Sequence, residues 1–424
     1  MHKAIKAIRG FSDVPTEDAW KYTYIENCAR RHFQLYGYRE IRLPVLEYTE
    51  LFSRGIGEAT DIVEKEMYTF PDRKGRSLTL RPEGTASAMR AYLERGWHSN
   101  GALSKLFYSG PMFRHERPQK GRYRQFYQLG LEAIGHGGPL VDAEVVDLLY
   151  RFFLRMDVQD VRILLNSLGC EDCRPGFRDK LLVFLGSVSD RLCSNCRRRT
   201  QTNPLRVLDC KVPTCQEALT GVPVMVDSLC DECRDHFSGV CRTLDGLEVP
   251  YTVDPRIVRG LDYYSRTAIE AVCDRLGSQN AVAAGGRYDG LARQIGGDVP
   301  GIGFALGVER LKLIMKWDSP APPVPDYYLA GATPDARIPV MKLADQIRGF
   351  GIRAEVDLEE RSLKAQMRRA NRMSVHKVVI IGDDELSRGT VTLKDFSSNK
   401  QEEISRDNFL AGLIRTGENL KGAE

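Results

Sequence analysis

The stretch FRHERPQKGRYRQFYQLGLE, residues 113 to 132, narrows the possible folds of this chain more than any other. The preceding run LSKLFYSGPMF is rich in Leu, Phe and Tyr, RPQKGRY holds the Pro and Gly of a connection, and YRQFYQLGLEAI alternates again. The pattern predicts a long hairpin with five cations, Arg114, Arg117, Lys120, Arg122 and Arg124, around its tip. On the second strand Tyr127, Leu129, Leu131 and Ala133 share one face while Gln128, Gly130 and Glu132 share the other, because side chains alternate with period two. One face is core. The other is polar, with a gap at Gly130, and a regular register sets Arg114 and Glu116 beside it. Charge at a hairpin tip is ordinarily just solvated, so these cations gain meaning only from their surroundings.

At 424 residues the chain is long for one core, and two or three domains are expected. Eight of its eleven cysteines fall between Cys170 and Cys233, which marks an inserted, mainly helical module over residues 170–246. Pro320, Pro322, Pro323 and Pro325 make a stiff linker over residues 319–326. Beyond it, over residues 327–424, strands such as KVVIIGD alternate with helices, which predicts a small α/β domain. The rest, residues 1–169 and 247–318, has strands around 41–46, 67–81, 104–134 and 262–284, and reads as an α+β domain with an antiparallel sheet.

A net charge of only +4 means that any nucleic-acid binding must use local basic patches. The N-terminus lacks the apolar run of a signal peptide, and no run of about 20 apolar residues occurs, so a cytoplasmic protein without a membrane partner is expected. In that reducing setting cysteines are free thiols or metal ligands.

Three further stretches carry chemistry. LTLRPEGTASAMRAYLE runs from a strand into a helix, with Thr85 placed to cap the helix and Glu83 able to take an ammonium or to favour the helix dipole. VRGLDYYSRT puts Arg259 before a strand whose Tyr263 and Tyr264 face opposite sides. VPGIGFALGVERLKLI brings a Gly-rich strand onto a helix starting near Gly307 with Arg310 in its first turns; the glycines are misspaced for a dinucleotide fingerprint, which argues against an oxidoreductase. NRMSVHK faintly echoes a class I lysine loop, but no His-x-Gly-His lies upstream.

The order RPEGT, FRHERPQKGRYRQFYQLGLE, RGLDYY, AGGRYDG, GFALGVER resembles the histidyl-tRNA synthetases of bacterial type, which are class II aminoacyl-tRNA synthetases, over nearly the whole chain. The departures are Ser265, where Asn or Thr is more usual, and the cysteine richness of the insertion. The resemblance implies a class II catalytic domain and a C-terminal anticodon-binding domain. It implies ATP-dependent activation of L-histidine to histidyl-adenylate and transfer to tRNA-His by a homodimer, whose strand resembles YREIRLPVLEYTELF. For ATP it implies Arg114 on the α-phosphate, Glu116, Arg122 and Tyr123 around adenine and the outer phosphates, Arg310 on the γ-phosphate, Mg2+ as counter-charge, and Arg259 as the catalytic cation opposite Arg114. For histidine it implies Glu83, Thr85 and Gln128 around the ammonium, and Glu132 with Tyr264, beside Tyr263, at the imidazole. The alternative is a non-catalytic, synthetase-like regulatory subunit of histidine biosynthesis, which typically lacks the anticodon domain and several of the arginines.

In RSLKAQMRRANR the cations Arg361, Lys364, Arg368 and Arg372 fall on one helix face opposite Leu363, Met367 and Ala370, a candidate tRNA contact or a solvated face. Finally, Cys170-x-x-Cys173, Cys193-x-x-Cys196, Cys230-x-x-Cys233 and the looser Cys210 and Cys215 could close two zinc sites, or one from any two pairs, or remain reduced thiols.

Overall fold

The computed structural model describes residues 4–57, 60, 62–258, 263–277, 279–317 and 323–421. Arg259 and the linker residues Pro320 and Pro322 lie outside the described residues. The chain divides into two compact units, Met1–Ser319 and Pro320–Glu424. No helix among the described residues is long and apolar enough to cross a membrane.

The first unit is built on an eight-stranded sheet in the order Arg39–Glu40, Ser104–Phe113, Gln125–Ile134, Gly301–Gly307, Ala281–Arg287, Ser265–Val272, Arg162–Ser167, Tyr251–Val253. The six central strands are antiparallel, as the alternating sequence pattern predicts. Both edge pairs are parallel, so the sheet is mixed rather than purely antiparallel. These edge strands are two or three residues long and reach the sheet through helical connections, which short apolar runs do not announce.

The long hairpin is Ser104–Phe113 against Gln125–Ile134, in unbroken register from Ser104 opposite Ile134 to Phe113 opposite Gln125. Leu129, Leu131 and Ala133 enter the main core, where they meet helices Thr16–Leu35 and Pro139–Arg155 through Ile25, Phe33, Leu148, Leu149 and Phe152. The latter helix begins at Pro139, whose missing N–H costs nothing at a first helical position. Its Asp142 is fully buried and paired with fully buried Arg287, and Thr267 Oγ1 donates to Asp142 at 2.5 Å. That clamp ties the helix to two central strands behind the site. A buried pair of this kind holds register more than it adds stability, and removing one partner leaves an uncompensated charge costing about 3–5 kcal/mol.

On the opposite face, helix Thr85–Glu94 and the three-stranded sheet Leu46–Tyr48, Ser77–Leu80, Tyr68–Pro71 cover the polar side of the hairpin. Residues 170–246 fold as helices Cys173–Ser187, Ser194–Thr202, Pro213–Ala218 and Asp231–Gly246 with short 3-10 turns between them. Their own small core mixes Phe177, Leu181, Leu185 and Leu219 with cysteines.

The second unit holds a five-stranded mixed sheet in the order Ala354–Val356, Tyr327–Gly331, Lys377–Ile381, Thr390–Asp395, Lys400–Ser405. Its first three strands are parallel and its last two antiparallel. Helix Leu363–Arg372 packs Met367 and Ala370 against Tyr328, Ala330 and Val378.

Candidate active site

The polar face of the hairpin is the buried floor of an acidic cluster. Glu132 is 0% exposed. Its Oε1 accepts from Thr85 Oγ1 at 2.8 Å and from the Tyr108 hydroxyl at 3.1 Å, and its Oε2 accepts from the Tyr288 hydroxyl at 2.5 Å. Burial pushes its carboxyl up to about 8 against the pull of these three donors, and neighbouring Glu83 adds to the rise. Glu83 is buried too and accepts from the amides of Thr85 at 2.7 Å and Ala86 at 2.9 Å. Burial raises its pKa, opposed by those amides and by the Arg114 charge.

Two expectations are corrected here. The helix start is capped by the Glu83 carboxylate, whereas the Thr85 side chain makes no cap and turns to Glu132 instead. The gap at Gly130 is filled: Tyr108 stands opposite Gly130 in the ladder, and a Cβ there would lie 2.0 Å from its ring. Gly84 meets the same ring from the helix side, where a Cβ would lie 2.2 Å away. The two glycines therefore seat one tyrosine that fixes Glu132. Gly303 leaves similar room for the carboxylate itself, since its Cβ would lie 2.0 Å from Glu132 Oε2.

Tyr263 and Tyr264 precede their strand rather than sitting on it, and instead of facing opposite sides their rings meet at 4.7 Å, tilted by 46°, in one cluster with Tyr288. Burial pushes the Tyr263 hydroxyl well up, reinforced by Tyr264, Glu83 and Glu132. Gln128 is buried on the same floor, and its Oε1 has no partner among the described residues. A buried acceptor left open at a pocket is a place for a donor from outside.

A second, open region adjoins this floor. A cavity of about 170 Å³ gathers Arg114, Glu116, Arg122, Tyr123, Gln128 and Arg310. Arg114 Nε donates to the Pro82 carbonyl at 2.8 Å and its guanidinium lies over the Phe126 ring at 5.4 Å. Glu116 pairs with Arg122 at 3.1 Å and with Arg114 at 3.9 Å, while Arg122 also reaches Gln279 at 2.8 Å. Arg310 donates to the Ala281 carbonyl. Burial and then the Arg122 charge pull the Arg310 pKa down, so two guanidinium groups crowd one wall. Glu116 and Glu270 offset part of this charge, and a bound anion would offset more. The wall opens on a cleft of about 980 Å³ whose lining includes Glu270 and, from the cysteine-rich segment, Cys193 and Cys210.

Sequence reasoning gave no role to Tyr108, Tyr288, Arg287 or Glu309. Tyr288 and Arg287 lie in AGGRYDG, whose spacing marks the family without disclosing a hydrogen bond to Glu132. Glu309, pushed up to about 7 by burial, accepts from the Tyr127 amide at 2.9 Å and anchors the helix bearing Arg310 to the hairpin. Only its position beside Arg310 could have flagged it.

In the second unit, Arg361 lies before the basic helix, and its guanidinium pairs with Asp357 at 2.9 Å and with Glu359. Lys364, Arg368 and Arg372 are exposed, and among the described residues none of them makes an ion pair. Lys364 and Arg368 line an open groove with Lys394 and Phe396.

A mostly antiparallel sheet that carries a buried acidic cluster beside an arginine-lined cleft, with a separate mixed-sheet unit, defines a class II aminoacyl-tRNA synthetase. The model of the family described as Histidyl-tRNA synthetase matches residues 10–170 and 215–311, and that described as Anticodon binding domain matches residues 333–416. The chain belongs to the histidyl-tRNA synthetase family. It is 50% identical over 412 residues to "Histidine--tRNA ligase" of Syntrophotalea carbinolica, covering 97% of this chain and 98% of the relative. It is likewise 50% identical over 420 residues to that of Desulfatibacillum aliphaticivorans, covering 97% and 100%. A solved structure of apo S. aureus histidyl-tRNA synthetase superposes with a TM-score of 0.81 at 34% identity, covering 97% of this chain and all of that one.

Proposed function

We infer that this chain is a histidine–tRNA ligase that couples L-histidine to ATP as histidyl-adenylate and passes the histidyl group to tRNA-His. The observation that carries the reading is the pair of adjoining sites. One is a closed floor whose Glu132 is already oriented by three hydroxyls, and the other is an open wall of arginines.

Glu132 and the Tyr263–Tyr264 pair take the imidazole, which offers a nitrogen to each side. Glu83, Thr85 and the Gln128 oxygen, open among the described residues, hold the α-ammonium. Arg114 faces the α-phosphate, Arg122, Tyr123 and Glu116 hold adenine and the outer phosphates, and Arg310 takes the γ-phosphate. Guanidinium suits these roles because its fork pairs two phosphate oxygens and stays charged. Arg259 acts as the catalytic cation on the far side of the α-phosphate, where negative charge grows as the histidine carboxylate attacks. Glu116 and Glu270, which line one cleft, offer hard oxygen ligands that would hold a Mg2+ bound with the nucleotide, and that ion would neutralise phosphate charge.

The tRNA anticodon region lies against Lys364, Arg368 and Arg372, whose charges are not matched by neighbouring acids. Arg361 contributes less because Asp357 and Glu359 already hold it. A homodimer forms through the face around Val45, Leu46, Tyr48 and Phe70, large apolar side chains that stand exposed on the small sheet. The reaction takes place in the cytoplasm, in keeping with eleven free cysteines.

The test is charging of a tRNA-His transcript with labelled histidine, ATP and Mg2+. Stoichiometric histidyl-tRNA with release of AMP is expected. Histidine binding without AMP formation or charged tRNA would favour the regulatory-subunit alternative.

A further inference from the structure

The segment 170–246 repeats one local unit three times: a Cys-x-x-Cys followed directly by arginine, in GCEDCR, LCSNCR and LCDECR. Each repeat folds alike. The arginine turns back to a leucine carbonyl just before the pair: Arg174 to Leu168 at 3.3 Å, Arg197 to Leu192 at 3.0 Å and Arg234 to Leu229 at 3.0 Å. In every repeat the second cysteine lies on a helix, in Cys173–Ser187, Ser194–Thr202 or Asp231–Gly246. This leaves both thiols of each pair on one side of a tight knuckle.

The knuckles then meet in a definite pairing that spacing leaves open. Cys170, Cys173, Cys230 and Cys233 converge, as do Cys193, Cys196, Cys210 and Cys215, with all sulfurs of a quartet within 4.8 Å of one another. In the first quartet Cys170 Sγ stands 3.6 Å from Cys173 Sγ and 3.9 Å from Cys230 Sγ. A tetrahedral zinc with bonds of about 2.3 Å requires sulfur separations of about 3.8 Å. A four-iron cluster, which places a separate metal at each thiolate, needs the sulfurs farther apart. In each quartet a backbone amide already donates to a sulfur: Cys230 N to Cys173 Sγ at 3.2 Å and Cys193 N to Cys215 Sγ at 3.1 Å. Amides aimed at sulfur stabilise thiolate over thiol. All eight are free of disulfides. The apolar core of the segment is slight, and five of its fifteen buried members are these cysteines. A module this small is commonly completed by a metal.

We propose that residues 170–246 hold two structural Zn2+ ions, one in each cysteine quartet. Each ion displaces the thiol protons to solvent and is bound by four thiolates, with no open position and so no part in the chemistry. The two sites differ in what they brace. Beside the first quartet, Leu168 N donates to Arg266 O at 2.6 Å and Arg266 N to Gly169 O at 2.9 Å. Arg174 donates to the Tyr264 carbonyl, and Arg266 pairs with Glu232. The first zinc therefore positions the backbone that carries the tyrosine pair, a consequence that rests on the histidine-binding role proposed above. The second quartet makes its contacts within the segment, where Cys193, Cys196 and Cys210 line the large cleft.

The test uses the full chain, purified without added metal, with zinc and iron counted by mass spectrometry and thiols titrated before and after denaturation. Two zinc per chain, negligible iron and eight thiols that react only after denaturation are the expected result. Cys173→Ser and Cys196→Ser should each lose one zinc. The first should raise the KM for histidine severalfold, and the second should leave it near the starting value. If either variant fails to fold, stepwise zinc release from the unaltered protein by a mercurial reagent, followed with a chromophoric chelator, gives the same count. Substoichiometric zinc that is not taken up on addition, stoichiometric iron, disulfides, or a count of one would each overturn the two-site assignment. Equal KM effects of the two variants would overturn the bracing role alone, and metal content is read independently of any activity.

Discussion

The acidic floor proposed to take histidine and the arginine wall proposed to take the nucleotide lie side by side on one sheet yet are built on opposite principles. In the floor every carboxylate is buried and already hydrogen-bonded: Glu132 by three hydroxyls, Glu83 by two amides. In the wall the arginines are half-buried, and their partners are a glutamate, a glutamine and backbone carbonyls that a polyanion can displace or supplement. The floor is finished before substrate arrives, which suits discrimination, because an analogue lacking the right groups leaves buried polar atoms unpaired. The wall gathers more cationic than anionic side chains, which suits stabilisation of charge that develops in the transition state.

The largest effect should come from breaking the floor. Glu132→Gln puts two N–H groups where Thr85, Tyr108 and Tyr288 already donate, and should lower kcat/KM for histidine by at least about 10³ while leaving ATP affinity nearly unchanged. Steady-state kinetics with each substrate varied would check it; an equal loss for both would erase the distinction between the regions. Gly130→Ala should act on the same floor through Tyr108, lowering both the melting temperature and histidine affinity.

Arg259→His, at the catalytic cation proposed above, should slow activation by about 10² to 10³ with a much smaller change in ATP affinity, read by single-turnover adenylate formation. Unchanged activation would remove Arg259 from the chemistry. Neutralising Lys364, Arg368 and Arg372 together should weaken tRNA charging and flatten its salt dependence while pyrophosphate exchange persists. Loss of both activities would point to misfolding instead.

The smallest effect concerns pH. Because Glu132 titrates near 8 when folded against 4.5 as its ordinary value, the folded state keeps a proton that the unfolded state releases. Its contribution to stability is therefore full below about pH 4.5 and is lost as pH rises toward 8. Thermal melts of the ligand-free enzyme should show this decline, and Glu132→Gln should flatten it.

The wall was far more legible in the sequence than the floor. Alternation placed Arg114 and Glu116 beside the polar face, and Arg122 and Tyr123 share their hairpin tip, whereas the gathering of Arg310 with them was implied only by the family resemblance. The floor is assembled from four separate strands and loops. Alternation placed Gln128 and Glu132 on one face, but nothing local said that Tyr108 would fill the space over Gly130, or that Tyr288 would reach Glu132 from 156 positions away. The parallel edge strands were missed for the same reason, since two- and three-residue strands have no period to read. The tyrosine pair was misplaced because the strand was expected to begin earlier than Ser265.

The claim that a finished floor selects histidine while an arginine wall activates it is tested most directly by amino-acid-dependent exchange of pyrophosphate into ATP, run with each of the twenty amino acids in the presence of Mg2+. The account predicts exchange with histidine alone. Comparable exchange with any other amino acid, or none with histidine, would contradict it.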